Sequence, residues 1–359
     1  MTVRVGVIGT GVMGAEHARL LDREISGAQV FGVFDLDGRR AAATAAAGRS
    51  TRAFGSPFDL ISDGQLDAVV VASSDGTHEQ FVLAALAAGK PVLCEKPLAP
   101  DAAGCERILA AELAAGRLLV SVGFMRRFDP GYRQLKQALT GGQLGLPLLV
   151  HCTHRNRQSP PGIPTPALIS GSAVHEFDIV RWLLEDELAS ITVHRPRPSR
   201  RALPTEDPLF LVVRSSSGVV IDIEVFVNAG YGYEVRCEVV AEQGTVALDA
   251  PAPIVARRAG GVQRGVAADW RPRFVDAYRA ELQNWVDSVA GDAPCAAATS
   301  WDGYAATMAA EAGIRALRTG VAEPVGGLAR PGLYPAPTGG ALGSPAGAAP
   351  VPLEPVTPR

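Results

Sequence analysis

Apolar residues in the first third of the chain come in short runs separated by longer stretches of helical period. Val3 through Ile8 reads as a strand, and a helical pattern follows through Arg23. Residues 29–34 and 66–72 are further strand-like runs. Ser56 before Pro57 has the form of a helix N-cap with proline at the first helical position. Thr77-His78-Glu79-Gln80 has the spacing of a capping box and opens a helix through Ala88, which Gly89 ends. Val92, Leu93 and Cys94 form a buried strand that stops at Glu95-Lys96-Pro97-Leu98. Pro97 lacks an N–H and biases Lys96 away from the helical region. A helix over 101–115 and a strand over 118–122 complete a doubly wound parallel sheet.

After Gly123 the pattern changes. Residues 128–139 read as a helix, 146–154 as a strand, and Pro160, Pro161, Pro164 and Pro166 mark a loop. Over 172–184, Val174, Phe177, Trp182 and Leu183 fit one apolar helix face, and Ser172 is placed to cap its start. Residues 191–255 are strand-like. Ile221, Ile223, Val225 and Val227 alternate with Asp222, Glu224 and Phe226, which predicts a sheet with one buried face. Helices are expected over 274–289 and 301–317. The chain therefore divides into 1–122, 123–328 and a tail, 329–359, whose density of Pro, Gly and Ala from Pro331 onward predicts disorder.

Composition narrows the class. The 359 residues are 47% hydrophobic and 20% charged, enough for a large core. A net charge of -3 offers no basic field for nucleic acid or an anionic membrane. No apolar run is long enough to span a bilayer, and Met1-Thr2-Val3-Arg4 leads straight into a strand without a leader pattern. The five cysteines are scattered, with no C-x-x-C, and predict free thiols in a reducing cytoplasm. His151-Cys152-x-His154 gives no metal site, since strand residues three apart point to opposite faces.

Three features carry chemistry. Gly9-Thr10-Gly11-Val12-Met13-Gly14 is G-x-G-x-x-G between a strand and a helix, the context that accepts a dinucleotide pyrophosphate. Asp35 ends the second strand, where an acid binds the ribose and repels a 2′-phosphate, which selects NAD over NADP. Ser73, Ser74, His78, Glu95 and Lys96 follow strand ends and are expected to face the ligand. On the helix over 172–184, His175 and Asp178 are spaced as neighbours, either a first-turn histidine beside a carboxylate or a catalytic pair.

These residues together resemble the Gfo/Idh/MocA oxidoreductases, and within them the inositol 2-dehydrogenase branch. The matching motifs are the glycine turn, Cys94-Glu95-Lys96-Pro97-Leu98, Gly123-Phe124-Met125-Arg126-Arg127-Phe128-Asp129, His154-Arg155-Asn156, Val174-His175-Glu176-Phe177-Asp178, and the run from Tyr231 through Val239. The resemblance implies an α/β fold: a Rossmann domain, then an α/β domain with a large open, mainly antiparallel sheet, assembled as a homotetramer or dimer. It implies Lys96 at the reacting alcohol, His175 as proton acceptor, and Arg126, His154, Asn156, Asp178 and Tyr233 on the ring of a cyclitol. The implied activity is oxidation of a secondary hydroxyl with NAD. Pyranose or amino-cyclitol oxidation, or a catalytically weak nicotinamide-binding regulator, are the alternatives. The family pattern carries an Asp four residues before the histidine, where this chain has Gly171. His175 is therefore expected to be neutral at the helix start but poorly oriented, with Asp178 as the nearby substitute.

Overall fold

The computed structural model of the chain describes residues 2–248, 255–291 and 295–335. Strands β1 (Val3–Ile8), β2 (Ala28–Phe34), β3 (Arg52–Ala53), β4 (Ala68–Val71), β5 (Val92–Glu95) and β6 (Val120–Gly123) form a parallel sheet in the order β6-β5-β4-β1-β2-β3. The order reverses between β1 and β4, and ligands of such sheets bind at the carboxyl ends beside that point. Every residue of β4 and β6 is buried, and β4 is a continuous apolar run, as a strand covered on both faces requires.

Helices α1 (Val12–Arg23), α2 (Gly38–Ala47), α3 (Pro57–Ser62), α4 (His78–Ala87) and α5 (Ala102–Ala115) connect these strands. Ser56 caps α3 through the Asp59 N–H, with Pro57 in its first turn, as the sequence predicts. The capping box expected at Thr77 does not form. A 3₁₀ turn, Asp75–Thr77, runs directly into α4, and the Thr77 hydroxyl donates to the Ser74 carbonyl at 2.7 Å instead. Thr77 already has helical torsions (φ −112°, ψ −4°), unlike the extended backbone a capping residue adopts.

Beyond β6, α6 (Pro130–Thr140) is capped by Asp129, which accepts the N–H groups of Gly131 and Tyr132. Then come β7 (Pro147–Arg155), α7 (Val174–Leu184), β8 (Leu188–His194), β9 (Leu209–Ser215), β10 (Val220–Phe226), β11 (Glu234–Ala241) and β12 (Gly244–Leu248). They pair in the order β12-β11-β7-β10-β9-β8, antiparallel except for β7 with β10. Ile221, Ile223 and Val225 are buried while Asp222, Glu224 and Phe226 are partly exposed, so the alternation does mark a one-sided sheet. A short ribbon, β13 (Val255–Arg258) and β14 (Gly261–Arg264), precedes α8 (Trp270–Gly291), β15 (Ala298–Thr299), α9 (Ser300–Thr319) and β16 (Glu323–Pro324).

The last elements return to both sheets. β15 pairs with β6 of the first and β16 with β8 of the second. Helix α9 packs on α5, α7 and β8. Glycines permit its close approach: a Cβ at Gly303 would lie 2.9 Å from the Leu98 Cβ, and one at Gly313 would lie 3.0 Å from Ile169. Leu98 directly follows Lys96-Pro97, so α9 presses on the loop that carries the lysine.

Two expectations fail here. Ser172 does not begin α7, because a π-helical turn, Leu168–Ala173, leads into it and the chain is already helical at Ala167 (φ −69°, ψ −16°). There is no free helix end for Ser172 to cap. The tail is also ordered at its start. Tyr334 is 3% exposed and its hydroxyl donates to Glu112 Oε2 at 2.9 Å. Glu112, fully buried on α5, also accepts the N–H groups of Leu119 and Val120 and the Ser300 hydroxyl. Arg330 pairs with Glu187 and lies over the Trp301 ring. One aromatic residue supplies the burial that an averaged Pro/Gly composition conceals. The expected disorder over 336–359 lies outside the described residues. Among the described residues, no helix is long and apolar enough to cross a membrane.

Replacing Tyr334 by Phe removes one hydrogen bond to a buried carboxylate. Urea unfolding should show a loss of about 1.5 to 3 kcal/mol, the range for bonds to charged groups, with cofactor affinity unchanged.

Candidate active site

β1 ends at Ile8 and the chain turns at Gly9, whose φ of +87° favours glycine. A Cβ at Gly9 would lie 2.5 Å from the Ser73 backbone, and one at Gly14 would lie 1.8 Å from the Gly9 carbonyl oxygen. These two glycines close the turn on itself and on the loop after β4. A Cβ at Gly11 would meet nothing within 4 Å, so the space beside that residue is open to a ligand's phosphates. Helix α1 begins there without a side-chain cap or an acid in its first turn, leaving its amides available to an anion. Val12 is exposed in that first turn and Met13 packs against the core.

Asp35 follows β2. Its Oδ2 accepts the Thr10 N–H at 2.7 Å and the Thr10 hydroxyl at 3.1 Å, and its Oδ1 accepts the Asp37 N–H at 2.8 Å. Burial works to raise the Asp35 pKa, but these hydrogen bonds and the charge of Arg40 hold it below the ordinary aspartate value. An ionised acid beside an open, uncapped glycine turn is a lining that fits NAD, whose phosphates Gly9 to Gly14 would hold and whose ribose Asp35 would hold.

The loop after β4 is fixed from within. Ser73 Oγ is 2.7 Å from Thr77 Oγ1, and the Ser74 carbonyl accepts from Thr77. His78 is 1% exposed, with Nδ1 2.7 Å from the Pro97 carbonyl and Nε2 3.1 Å from the Ser73 carbonyl. Main-chain carbonyls thus engage both ring nitrogens. His78 pins the β4 loop to the β5 loop instead of presenting a free group to the cleft.

Lys96 leaves the end of β5 half-buried and donates from Nζ to the Gly171 carbonyl at 3.1 Å. Burial lowers its pKa, Arg126 adds to that, and Glu95, Asp75 and Glu176 oppose it, leaving it below the ordinary lysine value. His175 sits one turn beyond Gly171 on α7, 9% exposed, with Nδ1 buried and unpartnered. Burial, then the charges of Lys96, Arg126 and His154, push its pKa well below the ordinary imidazole value. The ring is neutral, as expected, but from burial: the π-helical turn removes the helix end to which sequence reasoning assigned the effect.

Arg126, 1% exposed on the turn Met125–Phe128, donates to Glu176 of α7. His154 of β7 donates from Nδ1 to Glu176 Oε2 at 3.0 Å, closer than Arg126 Nη2 at 3.2 Å. Burial would raise the Glu176 pKa, but Arg126 and His154 outweigh it and hold it below the ordinary glutamate value. The His154 ring lies 6.3 Å from that of His175 and edge-on to Tyr233 at 5.8 Å. Asn156, just past β7, has a buried Oδ1 without a partner. Arg126, His154, His175 and Tyr233 are thus brought together, with Lys96 beside them.

Asp178 is placed differently. Its carboxylate takes the Arg127 guanidinium at 3.0 and 2.5 Å, and Arg127 and Arg181 both reach Asp302 of α9. It belongs to a buried ion-pair network that joins α7 to α9, and its hydrogen bonds go there instead of to His175. His151 is exposed and paired with Asp222 on the opposite sheet face from His154. Sequence reasoning missed Glu176, Arg127 and His17. Charged residues flanked by apolar ones on α7, and a histidine three residues past the last glycine of the turn, were the available signals.

The first sheet carries an open glycine turn with an ionised acid beside it, and Lys96 at its edge reaches the Gly171 carbonyl one turn before the neutral imidazole of α7. That combination defines a nicotinamide-dependent oxidoreductase. Residues 3–124 match the oxidoreductase family's NAD-binding Rossmann fold, and residues 136–326 match its C-terminal alpha/beta domain. The chain belongs to the Gfo/Idh/MocA oxidoreductase family, and NAD is its cofactor. Inositol 2-dehydrogenase 2 of Saccharopolyspora erythraea is 50% identical over 335 residues, covering 93% of this chain and 98% of that protein. Inositol 2-dehydrogenase of Acidothermus cellulolyticus is 48% identical over 322 residues, 89% of this chain and 94% of its own length. The crystal structure of myo-inositol dehydrogenase from Lactobacillus casei with NAD(H) and myo-inositol superposes with a TM-score of 0.90 at 36% identity, covering 93% of this chain and 100% of that one.

If Asp35 faces the ribose, Asp35→Ser removes the charge that would repel a 2′-phosphate while Arg39 and Arg40 remain on α2. Steady-state kinetics with both cofactors should show the NADP/NAD efficiency ratio rising about tenfold or more, the effect of losing a like-charge contact of about 1 to 4 kcal/mol.

Proposed function

We propose that this chain oxidises a secondary hydroxyl of a cyclitol to a ketone, using residues 1–122 for the cofactor and 123–328 for the substrate and for assembly. The observation that carries the proposal is that Lys96, from the first sheet, reaches the Gly171 carbonyl one turn before a neutral His175 on α7. Bound NAD supplies the hydride acceptor. His175 takes the hydroxyl proton as general base. Lys96, still charged, stabilises the alkoxide character that develops on the same oxygen. His154 Nε2, Asn156 Oδ1, Arg126 and Tyr233 form a polar wall suited to a molecule with a hydroxyl on every carbon, since a substrate lacking one leaves a buried group unpaired. The names of the relatives favour a cyclitol over a pyranose or an amino-cyclitol.

A regulator without turnover is the second reading, favoured by Gly171. Among the described residues no carboxylate or other group hydrogen-bonds the buried Nδ1 of His175. NADH formation across a panel of polyols separates the two. The exposed face of the second sheet, where Leu149 is open to solvent, suits contact with further copies in a dimer or tetramer. Five free cysteines suit a reducing cytoplasm.

Lys96→Met should leave the cofactor dissociation constant largely unchanged and reduce kcat by about 10² to 10⁴. Turnover close to that of the unaltered protein would make Lys96 structural and remove the reading.

Gly171 has room for the missing carboxylate. Its φ is outside the left-handed region, and a Cβ there would meet nothing within 4 Å. The unaltered protein should turn over myo-inositol below about 1 s⁻¹, the low end of the usual enzyme range. Gly171→Asp should raise kcat roughly 10- to 100-fold, corresponding to one charge-assisted hydrogen bond of about 1.5 to 3 kcal/mol. Thermal melting of the variant, run in parallel, identifies any loss through misfolding.

A further inference from the structure

His17 lies on α1, three residues past Gly14, with its side chain 1% exposed. Its Nε2–H donates to Glu95 Oε1 at 2.7 Å, while Nδ1 is buried without a partner. Tyr278 of α8 stands edge-on to the ring, with centroids 5.8 Å apart. One imidazole therefore touches the helix of the cofactor cleft, the acid that precedes Lys96, and a helix of the second domain. The mechanism above gives it no task.

Glu95 is packed where a carboxylate needs a partner. Its side chain is 12% exposed, and a Cβ on Gly123 would come within 3.3 Å of its carboxyl carbon. Glu281 of α8 shows the alternative state. It is fully buried, both its oxygens are unpartnered, and burial pushes its pKa well above the ordinary value, so it is protonated. Burial acts on Glu95 in the same sense. There the hydrogen bond from His17, then the charges of His17, Lys96 and His78, hold the pKa below the ordinary value. Among the charges around Lys96, Glu95 is the strongest that keeps the ammonium form, ahead of Asp75 and Glu176, while Arg126 opposes it. His175, uncharged, adds nothing to that balance.

We propose that His17 is a positioning residue which holds Glu95 ionised and in place, so that Lys96 stays charged at the reacting oxygen. The inference rests on the reading of Lys96 given above. It makes the first half of the cofactor-binding helix responsible for the protonation state of a group just past β5, two strands from β1. The geometry requires a single donor, so a side-chain amide at position 17 can replace the imidazole, whereas an apolar side chain leaves Glu95 unpartnered and drives it neutral.

The experiment compares His17→Leu, His17→Gln and Glu95→Gln. Two readouts serve: the pH profile of kcat/KM with myo-inositol, and the titration of Lys96 in the cofactor-free protein, followed by ¹³C NMR after reductive methylation. In His17→Leu the lysine should titrate about one unit or more lower, the scale on which a neighbouring opposite charge moves a pKa. The alkaline limb of activity should fall with it. His17→Gln should restore most of both. Glu95→Gln, which keeps the shape and removes the charge, should reproduce the His17→Leu shift even if the leucine variant folds poorly. An unchanged Lys96 titration in both His17→Leu and Glu95→Gln overturns the inference and leaves His17 as packing. Undiminished turnover in Lys96→Met overturns the reading beneath it, and the NMR titration, which needs no turnover, tells the two failures apart.

Discussion

Glu176 is ionised with almost no water to hold it, and the site is built around satisfying it. Arg126 comes from the turn after β6, His154 from β7, and Glu176 itself from α7. Three segments distant in sequence are thereby tied at one carboxylate. Removing one partner of such a pair costs about 3 to 5 kcal/mol, because the other is left charged in a dry interior. The neighbouring pair, Arg127 with Asp178, repeats the device one step along and carries it to Asp302 of α9. His175 rides between these two anchors. The ring we propose as the general base is thus placed by ion pairs it does not join.

Four of the protein's six histidines are buried, and each is set to a different use by what faces it. His78 lies between two carbonyls and serves as a clamp. His17 and His154 each donate to a carboxylate. His175 has no hydrogen-bond partner for Nδ1 among the described residues, and burial and neighbouring cations keep it neutral. The same ring becomes clamp, donor or neutral bystander to cations according to its neighbours, and none of those neighbours is adjacent in sequence.

That distance explains what the sequence could and could not tell. Period and punctuation are local, so the alternation of Ile221, Ile223 and Val225, the glycine turn and the strand ending at Lys96 were all legible. Asp178 was misplaced because spacing on a helix says which residues are near one another, not what rises opposite them, and Arg127 rises opposite Asp178. Thr77 and Ser172 had the composition of caps, yet the backbone before each was already turning. Tyr334 was hidden in a stretch whose average composition denies structure. Glu176 was visible only as a charge in an apolar helix, and its partners could be found only by folding the chain.

The return of the chain to both sheets has a thermodynamic consequence. β15 completes an edge of the first sheet, and α9 presses its glycines against Leu98 on one side and Ile169 on the other. The boundary at residue 123 separates two patterns of sequence, but it does not separate two stabilities. Opening the second domain strips the first of an edge strand and of the helix that holds its lysine loop, so the two sheets lose their order as one cooperative unit. Cofactor binding to the first sheet therefore stabilises the second as well, through mass action on a shared folding equilibrium.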